Sequence, residues 1–206
     1  MSGVLDSNQV RRAALRAASV VAVTMSLLAL PAAASASSNG ASASARQPDG
    51  RIRLQKVTYQ HFPKETYDRP WIGDDRYNDT GYHQAAREGW SAETPGWQQW
   101  VFGVSVQNDG TTTDSVRVQA TGADLPGWTV SYYVGRSNVT SAVVAGTFTT
   151  PPLPAGGEYL IKVKVRRAEI GPDGTTLRRL ITLTSTGNER RVDAVKVVMR
   201  VFTCGC

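Results

Sequence analysis

The chain has 206 residues, of which 41% are hydrophobic and 19% charged, with a formal net charge of +6 and only two cysteines. This is an ordinary globular composition, and it excludes a disordered, collagenous or disulfide-stapled chain. The basic excess falls to about four side chains once residues 1–36 are set aside, and no aromatic-interleaved basic motif or zinc spacing accompanies it, so no nucleic-acid partner is expected.

Arg11, Arg12 and Arg16 precede an apolar stretch from Ala17 to Leu30, followed by Pro31 and the small residues of 32–36. Charged, apolar and small-residue zones in that order are the plan of a secretory signal peptide, and Ala34-Ser35-Ala36 fits the small-x-small cleavage rule. Residues 1–36 are therefore read as a signal peptide, with the mature chain starting near Ser37 and later options at Ala43 or Ala45. The apolar run falls short of the about 20 residues that span a bilayer, so no stable membrane span is expected after cleavage. Arg11-Arg12 is similar to a twin-arginine signal, but alanine takes the usual aromatic position, and the export route stays open.

Residues 37–50 have no hydrophobic period and almost no large apolar side chain, and they read as a flexible linker. Residues 51–97 read as a loop-rich aromatic and acidic extension. Within it, Ile52, Leu54, Val57 and Tyr59 alternate as an edge strand with a break of phase near Gln55. The remainder holds both histidines (His61 and His83), Trp71, Trp90, Trp97, Tyr67, Tyr77, Tyr82 and the acidic group Asp74, Asp75 and Asp79. A long segment so rich in aromatics either packs over the rest or binds something, and packing is the favoured reading.

From residue 98 to 203 the pattern changes to strands. Phe102, Val104 and Val106 alternate and end at Asn108-Asp109-Gly110, a turn signal in which Asp-Gly would supply a positive φ. Val116, Val118 and Ala120 share a face, then Trp128, Val130 and Tyr132; a further strand is expected over 139–148, interrupted by Gly146. After the loop of 150–157, Tyr159, Ile161, Val163 and Val165 alternate with Leu160, Lys162, Lys164 and Arg166. Gly171-Pro172-Asp173-Gly174 turns the chain before strands over 177–184 and 192–202, the last facing inward with Val195, Val197, Met199 and Val201. About seven short strands without a convincing helix predict an all-β fold of two packed antiparallel sheets. The cations of 162–167 read as a solvated strand edge or face, and the modest basic excess of the chain allows a weak attraction to anionic cell-wall polymer.

These residues also resemble a known family. Phe102, Val104 and Val106 with Asn108-Asp109-Gly110, the Gly127-Trp128 pair, the Leu153-Pro154-Ala155-Gly156 loop, the strand from Tyr159 to Val165, and Ile181 to Thr186 followed by Asp193-Ala194-Val195 are similar to the immunoglobulin-like accessory domains of bacterial secreted and cell-surface proteins, the CARDB-like and alpha-galactosidase-associated sandwiches among them. The resemblance covers about 98–202, and the stretch from Trp71 to Gly81 looks like the lead-in of some actinobacterial members. Pro154 stands one position earlier than the usual Leu-x-Pro-Gly order, which affects the geometry of that turn. The resemblance implies an immunoglobulin-like β-sandwich and a non-catalytic module, since members are typically attached to other domains.

For chemistry, His83 with Asp74, Asp75 or Glu88 is the one arrangement that could serve catalysis, yet no Gly-x-Ser-x-Gly elbow supplies a nucleophile. Asp74, Asp75 and Asp79 are the candidate metal ligands, and calcium is the ion that such a loop would take; the spacing departs from the Asp-x-Asp-x-Asp-Gly loop, and no other cofactor is expected. Trp90, Trp97, Trp100 and Tyr77 are the candidate ligand-binding residues, because flat aromatic faces stack on sugar rings, although a sandwich buries tryptophan as a matter of course. Cys204 and Cys206 are too close together to span a fold and are candidates for a strained ring, a free thiol pair or a disulfide-linked oligomer. The expected function is a secreted or cell-surface non-enzymatic binding or spacer module, its partner an envelope polysaccharide or surface protein. The alternatives are a carbohydrate-binding module using exposed tryptophans, and a small secreted enzyme or inhibitor.

Overall fold

Strand β4 (Gln98–Asn108) sets the core, because its period-2 pattern sends Trp100, Phe102, Val104 and Val106 to one face, and all four are buried. A computed structural model describes residues 45–60, 65–67, 69–77, 81, 85–91, 96–168 and 174–202. The expected signal peptide, His61, Asp79, His83, the turn at 171–173, Cys204 and Cys206 lie outside the described residues.

On one side β4 pairs antiparallel with β1 (Pro48–Tyr59), setting Ile52 opposite Val104, Leu54 opposite Phe102 and Val57 opposite Trp100. The break of phase expected near Gln55 is a β-bulge: the register steps from Leu54/Phe102 to Lys56/Val101 with Gln55 as the extra residue. On the other side β4 pairs with β9 (Glu158–Arg167), whose Ile161, Val163 and Val165 face Val104, Phe102 and Trp100. With β2 (Glu65–Thr66), β6 (Trp128–Val134) and β7 (Ser137–Asn138), these strands form a six-stranded sheet in the order β2-β1-β4-β9-β6-β7.

The second sheet has the order β3-β11-β10-β5-β8, from β3 (Ala85–Ser91), β5 (Val116–Thr121), β8 (Phe148–Thr149), β10 (Thr176–Ser185) and β11 (Val192–Phe202). Its inward residues, Val116, Val118, Leu177, Ile181, Leu183, Val195, Val197, Met199 and Val201, close the core against the first sheet. Burying each such side chain contributes about 1.5–3 kcal/mol. The expected inward sets of β5 and β11 are the observed ones. The chain is an all-β sandwich, and among the described residues no helix is long and apolar enough to cross a membrane.

Four local expectations are corrected. The linker expected over 37–50 gives way at Pro48 to β1, and the residues just before it are already held: Thr112 and Asp109 donate their amides to the carbonyls of Ala45 (3.1 Å) and Gln47 (2.8 Å). Small residues there serve close approach: a Cβ on Gly50 would lie 2.7 Å from Leu183 and 2.9 Å from Val195 in the facing sheet. The strand expected over 139–148 is instead a helix α1 (Thr140–Ala145), with β7 just before it and β8 beginning at its far end. Its apolar run is too short for periodicity to distinguish the two, and in the helix Val143 is buried while Val144 points out. Gly146 in the left-handed region ends it.

The third correction is β3, absent from the expected series. Ala85-Ala86-Arg87-Glu88 carries no apolar alternation, yet the segment runs parallel to β11 with Ala86 opposite Val197 and Trp90 opposite Val201. Finally, Gly110 does not adopt a positive φ. Asn108-Asp109-Gly110 is where the chain leaves the first sheet for the second, and Gly110 is required because a Cβ there would lie 2.6 Å from the Ala45 carbonyl oxygen.

Candidate binding groove

The outer face of the six-stranded sheet is built by the strand residues that the core does not use. On β9 these are Leu160, Lys162, Lys164 and Arg166, left outside when Ile161, Val163 and Val165 turn inward. Register sets their neighbours. One row across the sheet runs Arg53, Gly103, Lys162, Tyr133, and the next runs Lys56, Val101, Lys164, Ser131. Gly103 leaves the sheet surface bare at the centre of the first row, and the space is taken by the Gln55 amide and the Trp71 ring, 2.4 Å and 3.3 Å from where a Cβ would stand. The bulge supplies both Gln55 and Lys56 to this surface.

A groove of about 530 Å³ opens here, lined by Gln55, Lys56, Thr66, Gln99, Val101, Tyr133, Gly135, Arg136, Lys162 and Lys164. β2 contributes Thr66 by pairing opposite Lys56. The turn between β6 and β7 contributes Gly135, in the left-handed region, and the exposed Arg136. Among the described residues, four cations line the groove and no carboxylate does. None of Lys56, Arg136, Lys162 and Lys164 has an ion pair among the described residues, and Lys164 Nζ sits 4.6 Å from the Tyr133 ring centre. A concave surface with one sign of charge focuses its potential outward, toward an anion. Elsewhere on the same face Arg51 is neutralised by Asp74 (3.3 Å) and Glu158 (3.0 Å).

The aromatic residues expected to bind a ligand do not converge. Trp100 is a core residue, 1% exposed and stacked on Trp128 with ring centres 6.0 Å apart, and this corrects its reading as a binding platform. Its phase with Phe102, Val104 and Val106 is the physical reason. Trp97 is half-buried beneath the Arg166 guanidinium, 5.3 Å from the ring centre. The backbone of Trp90 belongs to β3, in the opposite sheet. Tyr77 donates its hydroxyl to Asp109 at 2.9 Å and to Asp75 at 3.3 Å; burial first, and then that bond to Asp109, raise its pKa above the ordinary tyrosine value.

The acidic residues form a different cluster from the one expected. Asp74 is taken by Arg51, and Asp75, at a φ of 56°, donates its amide to Asp49 Oδ2 at 3.4 Å. Asp49 is fully buried. Desolvation, followed by the charges of Asp193 and Asp109, pushes its pKa up to about 7. Among the described residues no three His, Cys, Asp or Glu side chains are arranged to hold a metal ion; Asp79, the third ligand expected beside Asp74 and Asp75, lies outside them. Sequence reasoning missed Asp49 because it was assigned to the linker. It also missed the groove residues of β1, β4 and the turn at Arg136, although the Lys162/Lys164 alternation pointed to this face.

No protein-family model matches the chain. No curated protein matches it either. Solved structures similar to it include the N-terminal domain of PorA, at 12% identity and a TM-score of 0.38 over 56% of this chain and 87% of that one. A FixG-related protein from Vibrio parahaemolyticus is similar at 11% identity and a TM-score of 0.33, over 50% of this chain and 78% of that one. The VesB protease of Vibrio cholerae is similar at 13% identity and a TM-score of 0.35, over 58% of this chain and 30% of that one.

Proposed function

We propose that the chain is a secreted, non-enzymatic binding module of the bacterial cell envelope, which holds an anionic envelope polymer in the groove on its six-stranded sheet. The observation that carries this reading is the groove itself: Lys56, Arg136, Lys162 and Lys164 face one concavity with no carboxylate among its described lining residues. The signal-peptide pattern of residues 1–36 supports an extracellular setting. The resemblance of residues 98–202 to immunoglobulin-like accessory domains, CARDB-like ones among them, supports a module that binds rather than catalyses. A tryptophan platform for neutral sugars is the weaker reading, because Trp100 is in the core and Trp97 lies under Arg166.

The test is co-sedimentation of the secreted protein with purified bacterial cell walls. The proposal expects pelleting at low salt that falls by at least tenfold in Lys162→Glu/Lys164→Glu. A protein that stays in the supernatant, or a double variant that pellets like the parent, sinks it.

A further inference from the structure

We infer that the groove takes a linear phosphodiester polymer of polyol or sugar units, an identification of ligand class that rests on the envelope-binding reading above. Charge gives the first step. Four cations without a carboxylate among the described lining residues are complementary to an anion, and a neutral glycan would leave all four without a counter-charge.

Spacing gives the second. Lys162 and Lys164 are two residues apart on one strand, so their Cα atoms are separated by about 7 Å. Lys56 and Lys164 stand on either side of Val101, two strand spacings apart, or about 10 Å. The cations are thus spread along and across the sheet, and they match single charges distributed along a chain better than one compact multivalent ion.

The head groups give the third. Three of the four cations are lysines, compact point charges that hold a phosphate singly, without the planar fork with which arginine grips carboxylate and phosphate alike. A phosphodiester carries one delocalised charge, which a point charge holds without bidentate geometry. Between the cations, the amides of Gln55 and Gln99 and the hydroxyl of Thr66 offer hydrogen bonds to free hydroxyls of the repeating unit.

The rings around the groove argue against a nucleic acid. Single strands are held by stacking bases on open aromatic faces. Here Trp71 carries Arg53 at 4.5 Å, Trp97 carries Arg166 at 5.3 Å, and Tyr133 carries Lys164 at 4.6 Å from the ring centres. Each of these rings is already engaged by a cation of this chain.

The experiment is calorimetric titration of the whole secreted protein with four probes of matched length: poly(glycerol phosphate), polygalacturonate, neutral dextran and oligothymidylate. Poly(glycerol phosphate) is expected to bind at least tenfold more tightly than the others. Its log affinity should fall with log salt at a slope of about −2 to −3, as for three to four neutralised phosphates. Binding should be constant from pH 5 to 8, since the described lining residues include no His, Asp or Glu. Lys162→Glu/Lys164→Glu should lower the affinity at least tenfold with an unchanged melting temperature, whereas Arg117→Glu on the other sheet should leave it unchanged. Tighter binding of polygalacturonate or oligothymidylate overturns the phosphodiester assignment while leaving a binding groove in place. Loss of wall co-sedimentation together with silence toward all four probes overturns the envelope reading itself.

Discussion

The Gly50 amide donates a hydrogen bond to Asp193 Oδ2 at 2.7 Å, and so joins strand β1 of one sheet to strand β11 of the other inside the core. Both residues are buried, and the acceptor is a carboxylate, which makes the bond stronger than a neutral one. Gly50 is also where Leu183 and Val195 enter the first sheet, at 2.7 Å and 2.9 Å from a notional Cβ. Gly50→Ala is therefore expected to destabilise the fold by about 2–3 kcal/mol through overpacking. Asp193→Ala, which removes the acceptor, should cost a similar about 2–4 kcal/mol, and Asp193→Asn, which keeps an acceptor oxygen, distinctly less. Urea unfolding of the three variants checks this; an Asn variant as unstable as the Ala variant would show that the bond is not what matters.

Asn108 links the end of β4 to the loop before β9. Its Nδ2 donates to the carbonyls of Leu153 (2.8 Å), Thr112 (2.9 Å) and Pro154 (3.2 Å), while Oδ1 accepts from the Gly110 amide at 3.1 Å. Asn108→Asp keeps the size and removes the donor, turning a carboxylate toward three carbonyl oxygens. It is expected to cost about 2–4 kcal/mol at pH 7, more than Asn108→Ala, with the gap narrowing toward pH 4 as the carboxyl gains a proton. Thermal melts of both variants at the two pH values measure it. An Asp variant as stable as the parent at pH 7 would refute the donor role.

The core strands were legible because each exposes one face to the core and the period of 2 is printed in their residues: Phe102/Val104/Val106, Ile161/Val163/Val165 and Val195/Val197/Met199/Val201 are all buried as sets. β3 was not legible, because a strand reading Ala-Ala-Arg-Glu-Gly-Trp-Ser has no apolar alternation and is specified by the edge of β11. The groove was half legible. Lys162 and Lys164 follow from alternation on β9, but Lys56 joins them only through the bulge at Gln55, and Arg136 only through the turn between the neighbouring strands β6 and β7. Tertiary placement of this kind has no local signature. Trp100 shows the opposite case, since its phase with Phe102 already assigned it to the interior, and a rare aromatic near a strand end drew a functional reading instead.

Asp49 makes stability depend on pH in a direction opposite to that of a salt-bridged carboxylate. Its side chain is fully buried, Oδ1 has no hydrogen-bond partner among the described residues, and the charges of Asp193, Asp109 and Asp74 add to the desolvation that pushes its pKa up to about 7. In the unfolded chain the same group titrates near about 3.9. Between those values the folded state retains a proton that the unfolded state has released, so the Asp49 contribution falls as pH rises from about 4 to about 7 and is level above that. Asp49→Asn mimics the protonated group, preserves an acceptor for the Asp75 amide, and cannot ionise. The variant should match the parent near pH 4 and be more stable at pH 8 by on the order of 1–3 kcal/mol. For a chain of this size that corresponds to a rise in melting temperature of roughly 2–10 °C. Because the other titrating groups are common to both proteins, the difference between the two melting curves across pH isolates Asp49. A gap of equal size at pH 4 and pH 8 would mean that the substitution acts through packing, and that the buried carboxyl does not titrate in this range.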